Sequence, residues 1–286
     1  MFVKTVPTPK KRGNTRLYLG TKYYRLRKHF SLIFGKHKFA VISHALLPHK
    51  CYLHKTPLYR KLKDVDMYLQ TNKVVNLGIA VGKINNVTIK PGETFSFWRM
   101  VGKPTKRKGY LPGMLLKSGT IAVGTGGGLC QLTNLIYWLT IHTPLTVTER
   151  HRHGYDVFPD SNRTLPFGSG ATCFYNYGDL MIKNETSHTF QLSLHITDTH
   201  LEGAWLCDKL PEFSYSVYEK DHIMQSQFWG GYTRHNLIHR KKFCRATGNF
   251  VDDEYVIENH AIMMYEPFIT EQDKNSVDTK IESTEK

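Results

Sequence analysis

The chain offers one residue set up for covalent chemistry: a cysteine behind a glycine loop, in Gly124-Thr125-Gly126-Gly127-Gly128-Leu129-Cys130-Gln131. Glycines without a Cβ let the backbone take positive φ and come close to another group. Leu129, Leu132, Leu135, Ile136 and Leu139 then recur at i, i+3, i+6, i+7 and i+10, the stripe of a helix buried on one face. Cys130 therefore falls in a first helical turn, where unpaired N–H groups and the positive dipole end favour thiolate over thiol. Beside it, Gln131 carries an amide able to donate to a developing oxyanion. A tight strand-to-helix connection ending in an inert buried thiol would show the same pattern.

A thiolate nucleophile needs a base that removes the thiol proton and returns it to the leaving group, and histidine suits that near neutral pH. Of fifteen histidines, His151 and His153 come soon after the Cys130 helix, at the end of a strand expected over 145–148. In an extended strand they would share one face, with Arg150 and Arg152 on the other. Spacing leaves open which of them meets Cys130. Glu149, Asp156, Asp160 and Asp179 are the nearby carboxylates able to hold an imidazole in one tautomer. A metal site of Cys130, His151 and His153 is the rival arrangement. It lacks regular ligand spacing, so no metal and no cofactor is expected.

The elements that must position these groups read as α+β: an N-terminal helical region, then a mixed, mostly antiparallel sheet with the Cys130 helix buried on it. Pro48 and Pro57 bracket a loop, and apolar periodicity predicts a helix over 58–84 with a break near Thr71-Asn72. Short strands are expected at 87–89, 93–98, within 110–123, and at 171–175, 179–184 and 189–196. Further strands are expected at 213–218, 232–239 and 254–264. Gly102 to Gly109 reads as a basic loop and 158–167 as a polar one.

With 286 residues and 40% hydrophobic content, the chain can bury a sizeable core. Its net charge of +15 is uneven: residues 1–63 hold sixteen Lys or Arg and no acid, leaving 15 − 16 = −1 for the rest. Between Arg16 and Phe39 cations alternate with leucines and aromatics, as in an amphipathic helix at an anionic membrane surface. Packing of those aromatics onto the body is the plainer reading. Nucleic acid ranks behind both, because no recognition motif accompanies the charge. Five cysteines without a CxxC pair argue against a disulfide framework, and no apolar run reaches 18 residues. The apolar piece at 30–35 is too short for a secretory signal, so a cytoplasmic protein, peripheral on the inner membrane face, is expected.

Taken together, several motifs resemble the VanW family, named from vancomycin-resistance operons. They are Pro91-Gly92-Glu93-Thr94-Phe95-Ser96-Phe97, Val101-Gly102, Gly109-Tyr110, Gly126 to Gln131, Glu149-Arg150 with His153, Gly168 to Thr172, and Asp179-Leu180 with Asn184. The resemblance implies a link to glycopeptide resistance and the cell envelope, and some relatives look like cysteine L,D-transpeptidases. On that basis Cys130 would attack a peptidoglycan stem-peptide carbonyl, with His153 as base and then acid. Gly127, Gly128 and Gln131 would steady the oxyanion, and Glu149, Arg150, Asp156 and Asp179 would support the site. Where exported relatives look to carry Asp before Ala-Thr, this chain has Gly170. The alternative function is a non-catalytic accessory protein that binds a cell-wall precursor or an envelope partner. The expected organisation is a basic arm over 1–57, a VanW-type domain over 58–210 with its motif core at 85–195, a strand-rich extension over 211–270 and a disordered tail over 271–286.

Overall fold

The computed structural model describes residues 12–59, 66–117, 119–158 and 164–266. Asp160, positions 60–65 of the expected helix, most of the basic lead before Asn14 and the tail from Glu271 lie outside the described residues. The architecture is α+β, with helices set against sheets that are antiparallel at all but two of their pairings among the described residues.

The chain starts with α1 (Asn14–Phe34), then two short strands, β1 (Lys38–Phe39) and β2 (Val41–Ile42), and β3 (His49–Pro57). Helix α2 (Met67–Ile84) leads to β4 (Val87–Ile89), β5 (Glu93–Ser96) and a one-turn helix, α3 (Phe97–Val101). A hairpin of β6 (Pro112–Lys117) and β7 (Thr120–Thr125) delivers the glycine loop to α4 (Cys130–Ile141). The chain continues through β8 (Thr146–Glu149), β9 (Tyr155–Asp156), β10 (Met181–Lys183), β11 (Phe190–Ile196) and β12 (His200–Cys207). Three long strands finish it, β13 (Phe213–Ser226), β14 (Tyr232–Cys244) and β15 (Phe250–Met263).

Where one sheet was expected there are three, besides the hairpin. Their orders are β1-β5-β10-β8, β2-β4-β11-β12-β3 and β13-β14-β15-β9. Helix α4 lies against β12 and β3 of the five-stranded sheet. A Cβ on Gly203 of β12 would stand 2.8 Å from Leu139 Cδ1, so glycine there lets helix and sheet approach. Leu132, Leu135, Ile136 and Leu139 are fully buried, and burying each such side chain contributes about 1.5–3 kcal/mol. Tyr137, Trp138, Thr140 and Ile141 are buried too, so the burial of α4 extends well beyond one face, with Asn134 left exposed.

Several boundaries differ from expectation. Residues between Pro48 and Pro57 form β3, not a loop, and Leu58 ends it with its N–H on Thr199 O at 2.8 Å. Helix α2 begins at Met67 and runs unbroken through Thr71-Asn72, where Asn72 Nδ2 donates to Pro112 O at 2.8 Å. Phe97 and Trp98 belong to α3 rather than to a strand, since Ser96 Oγ accepts from Arg99 N and starts a helical turn. The segment 171–175 makes isolated bridges only, at Thr172 and Phe174. Thus β1, β2 and β3 sit in the body's sheets, while α1 lies against the body by a polar edge. No helix among the described residues is long and apolar enough to cross a membrane.

Candidate active site

The glycine loop is shaped by contact on both sides. Gly126 and Gly128 have φ of 78° and 92°, a region that L side chains rarely adopt. A Cβ on Gly127 would lie 2.1 Å from the carbonyl carbon of Gly113, so the loop crosses β6 backbone to backbone. Fully buried Asn76, on α2, fixes that crossing: it donates to Gly127 O at 3.0 Å and to Leu111 O at 3.1 Å, and accepts from Leu111 N at 2.8 Å. Beside it, Lys73 Nζ holds Leu58 O at 2.5 Å and Gln70 Oε1 at 2.7 Å. A buried polar row on α2, Gln70, Lys73 and Asn76, therefore anchors the loop.

Cys130 opens α4 and meets two groups. Its Sγ lies 3.7 Å from Cys173 O and 3.9 Å from Cys173 Sγ, and His153 is near enough to act on its charge. The Cys173 hydrogen bond, helped by the bond and charge of His153, holds the Cys130 thiol well below the ordinary thiol range against the opposing effect of burial. Burial, and the neighbouring Cys130, push Cys173 well above that range. The two thiols are thus pushed in opposite directions, Cys130 down and Cys173 up. The segment carrying Cys173 is clamped to α4: Thr133 Oγ1 donates to Ala171 O at 2.6 Å, and Asn134 Oδ1 accepts from Ala171 N at 2.8 Å.

The two histidines diverge because β8 ends at Glu149 and the alternation of an extended strand does not continue past it. His153 turns to Cys130, whereas His151 Nε2 pairs with Glu149 Oε1 at 3.0 Å. Glu149 also receives Lys28 Nζ from α1 and the Asp179 N–H at 3.2 Å. Burial opposes its charge, but the hydrogen bonds from His151 and Lys28 prevail and bring its carboxyl down to about 2. Lys28 also stands 3.6 Å from Asp179 Oδ2.

Other residues singled out in the sequence have structural partners. The Gln131 amide nitrogen is committed to Thr56 Oγ1 at 3.0 Å and Pro57 O at 2.9 Å, so it ties α4 to β3 instead of facing an oxyanion at Cys130. In the first turn the N–H groups of Gln131 and Leu132 donate to Gly128 O and Leu129 O at 3.0 Å each, so they too are engaged. Arg150 lies over the Tyr137 ring and donates to Gly170 O at 2.8 Å and to Gly168 O. Asp156 pairs with Arg234 at 3.3 Å and accepts from Tyr265 OH at 2.8 Å. Asp179, fully buried, accepts from Ser96 Oγ at 2.6 Å and Trp98 N at 2.9 Å, and burial raises its carboxyl. Both carboxylates are thus engaged away from His153. A Cβ on Gly170 would stand 2.4 Å from Asn134 Oδ1, so Asn134 fills the space that a larger residue would need. Among the described residues no three His, Cys, Asp or Glu side chains could together hold a metal ion.

The family model described as "VanW like protein" matches residues 72–206. Vancomycin B-type resistance protein VanW of Enterococcus faecalis (strain ATCC 700802 / V583) is 33% identical over 224 residues, covering 78% of this chain and 81% of that protein. The chain belongs to the VanW family. A second relative, uncharacterized protein YoaR of Bacillus subtilis (strain 168), is 29% identical over 110 residues, 38% of this chain and 35% of its own length. No solved structure matches. The VanW match begins inside α2 and ends in β12, so it includes Asn76, Cys130, His153 and Cys173 but neither Lys28 nor the last three strands. Asn76 had a local signal, a polar residue within the apolar stripe of α2. Cys173 and Lys28 had none, because only the folded chain brings them to the site.

Proposed function

We propose that this VanW-family protein serves in vancomycin resistance as a cysteine acyltransferase or peptidase acting on peptidoglycan stem peptides. One observation carries the reading: Cys130, at the start of α4, stands 3.9 Å from the Cys173 thiol, and that thiol together with His153 draws its pKa down. The resistance role rests on the similarity to vancomycin B-type resistance protein VanW of Enterococcus faecalis. In the proposed reaction the Cys130 sulfur attacks a stem-peptide carbonyl carbon at the positive end of the α4 dipole, which favours the developing oxyanion. As the C–N bond breaks, His153 gives its proton to the leaving amine, and a thioester remains. An acceptor amine, or water, then loses a proton to His153 and attacks the thioester carbonyl, releasing the Cys130 thiolate.

A second reading is an accessory protein that binds a cell-wall precursor without turnover. It is favoured by the engagement of Asp156 with Arg234 and Tyr265 and of Asp179 with Ser96 and Trp98. Intact-protein mass spectrometry after incubation with stem tetrapeptides and pentapeptides separates the two. The acyltransferase reading requires an acyl adduct on Cys130 that is absent from Cys130→Ala. Saturable binding with no adduct and no change in the peptide supports the accessory reading.

A further inference from the structure

We infer that the outward face of α1 docks on an anionic phospholipid surface. The helix is turned the opposite way from an ordinary surface helix. Its inward contacts are chiefly polar: Lys28, the buried residue of α1, reaches Glu149 and Asp179, and Arg25 Nε donates to Tyr175 O at 2.9 Å, beside a stack of Tyr24 on Tyr177. Most of its apolar residues are exposed. Leu19, Tyr23, Leu26, Phe30, Ile33 and Phe34 are all exposed, with Phe34 at 76%. They follow i, i+4, i+7, i+11, i+14 and i+15, which is one stripe along the helix.

Charge identifies what covers that stripe. At about 100° per residue, Lys22 and His29 fall along one border of the stripe and Arg16 and Arg27 along the other. Residues 1–63 as a whole contain sixteen Lys or Arg and no acid. An apolar strip bordered by cations fits the boundary of a bilayer, where rings and leucines enter the acyl region and the cations reach lipid phosphates. A neutral protein groove would leave these border cations without counter-charge. The helix is too polar to span, so it lies in the plane of the surface. Through Lys28 the docked helix is joined to Glu149 and, by Glu149, to His151. Docking would hold the Cys130 site beside the bilayer, whatever reaction the thiol performs.

Flotation of the full chain with phosphatidylglycerol vesicles, and separately with phosphatidylcholine vesicles, tests this. The wild-type chain should float with the anionic vesicles and lose binding as salt rises. Lys22→Gln with Arg27→Gln should weaken partitioning about 30-fold, since each cation near such a surface contributes about five-fold. Leu26→Glu with Phe30→Glu should abolish flotation while the thermal transition stays unchanged, because both side chains are exposed. Failure to float on either lipid, or flotation that both double variants retain, would overturn the inference. So would a concentration-dependent dimer that forms without lipid and dissolves in Leu26→Glu/Phe30→Glu, which would assign the stripe to a second copy of this chain.

Discussion

Cys130 Sγ stands 3.9 Å from Cys173 Sγ, and the pKa values of the two thiols are pushed apart, Cys130 down and Cys173 up. The helix start alone does not determine this division. Cys173 lies in a segment of isolated bridges that Thr133 and Asn134 fasten to the same helix.

Removing the Cys173 thiol should therefore raise the Cys130 pKa. A hydrogen bond to the charged form stabilises that form, and its loss is worth about 1.5–3 kcal/mol, or roughly one to two pKa units. Cys173→Ala should move the alkylation profile of Cys130 up by that amount, and Cys173→Ser, which keeps a donor, should restore most of it. An unchanged profile in Cys173→Ala would remove Cys173 from the site.

Glu149 couples the site to acid stability. Its folded carboxyl, at about 2, lies below the unfolded value of about 4.3, so its contribution is present above the unfolded pKa and is lost as pH falls toward 2. The amount is on the order of 2–3 kcal/mol. Asp179, raised by burial, acts with the opposite sign, so the comparison to make is wild type against Glu149→Gln. Denaturant unfolding from pH 6 to pH 2 should show a steeper acid decline for wild type. Parallel curves would mean that Lys28 and His151 do not favour the Glu149 charge.

Asn76→Ala should leave the Leu111 N–H and the Gly127 carbonyl without their side-chain partner, at a cost of about 1–3 kcal/mol each at most. Thermal unfolding should fall, and Cys130 alkylation at neutral pH should slow, because the loop setting the first turn of α4 is released. A fall in stability with no change in Cys130 reactivity would confine Asn76 to the fold.

The parts legible in the sequence are those with local causes. Glycines followed by a leucine stripe specify the turn into α4, and β4, β8 and β11 follow from short β-rich runs between turn residues. Strand β3 was hidden because it lies at a sheet edge, where Lys50, His54 and Lys55 blur the alternation. Strand β12 was hidden by Glu202 and Gly203, and the glycine is explained only by the approach of α4. Thr71-Asn72 suggested a break, but the Asn72 bond to Pro112 outweighs weak propensity. Lys28 is one cation among sixteen in its region, and its two carboxylate partners lie more than a hundred residues away.

Central to this account is Cys130 as a thiolate maintained by its neighbours. The most direct measurement is the pH dependence of alkylation at each of the five cysteines, by mass spectrometry on the folded protein and on His153→Ala. The account predicts that Cys130 reacts first, with an apparent pKa well below the free-thiol value of about 8.5, and that His153→Ala shifts it upward. A Cys130 no more reactive than Cys51, Cys173, Cys207 and Cys244, or one indifferent to His153, would contradict it.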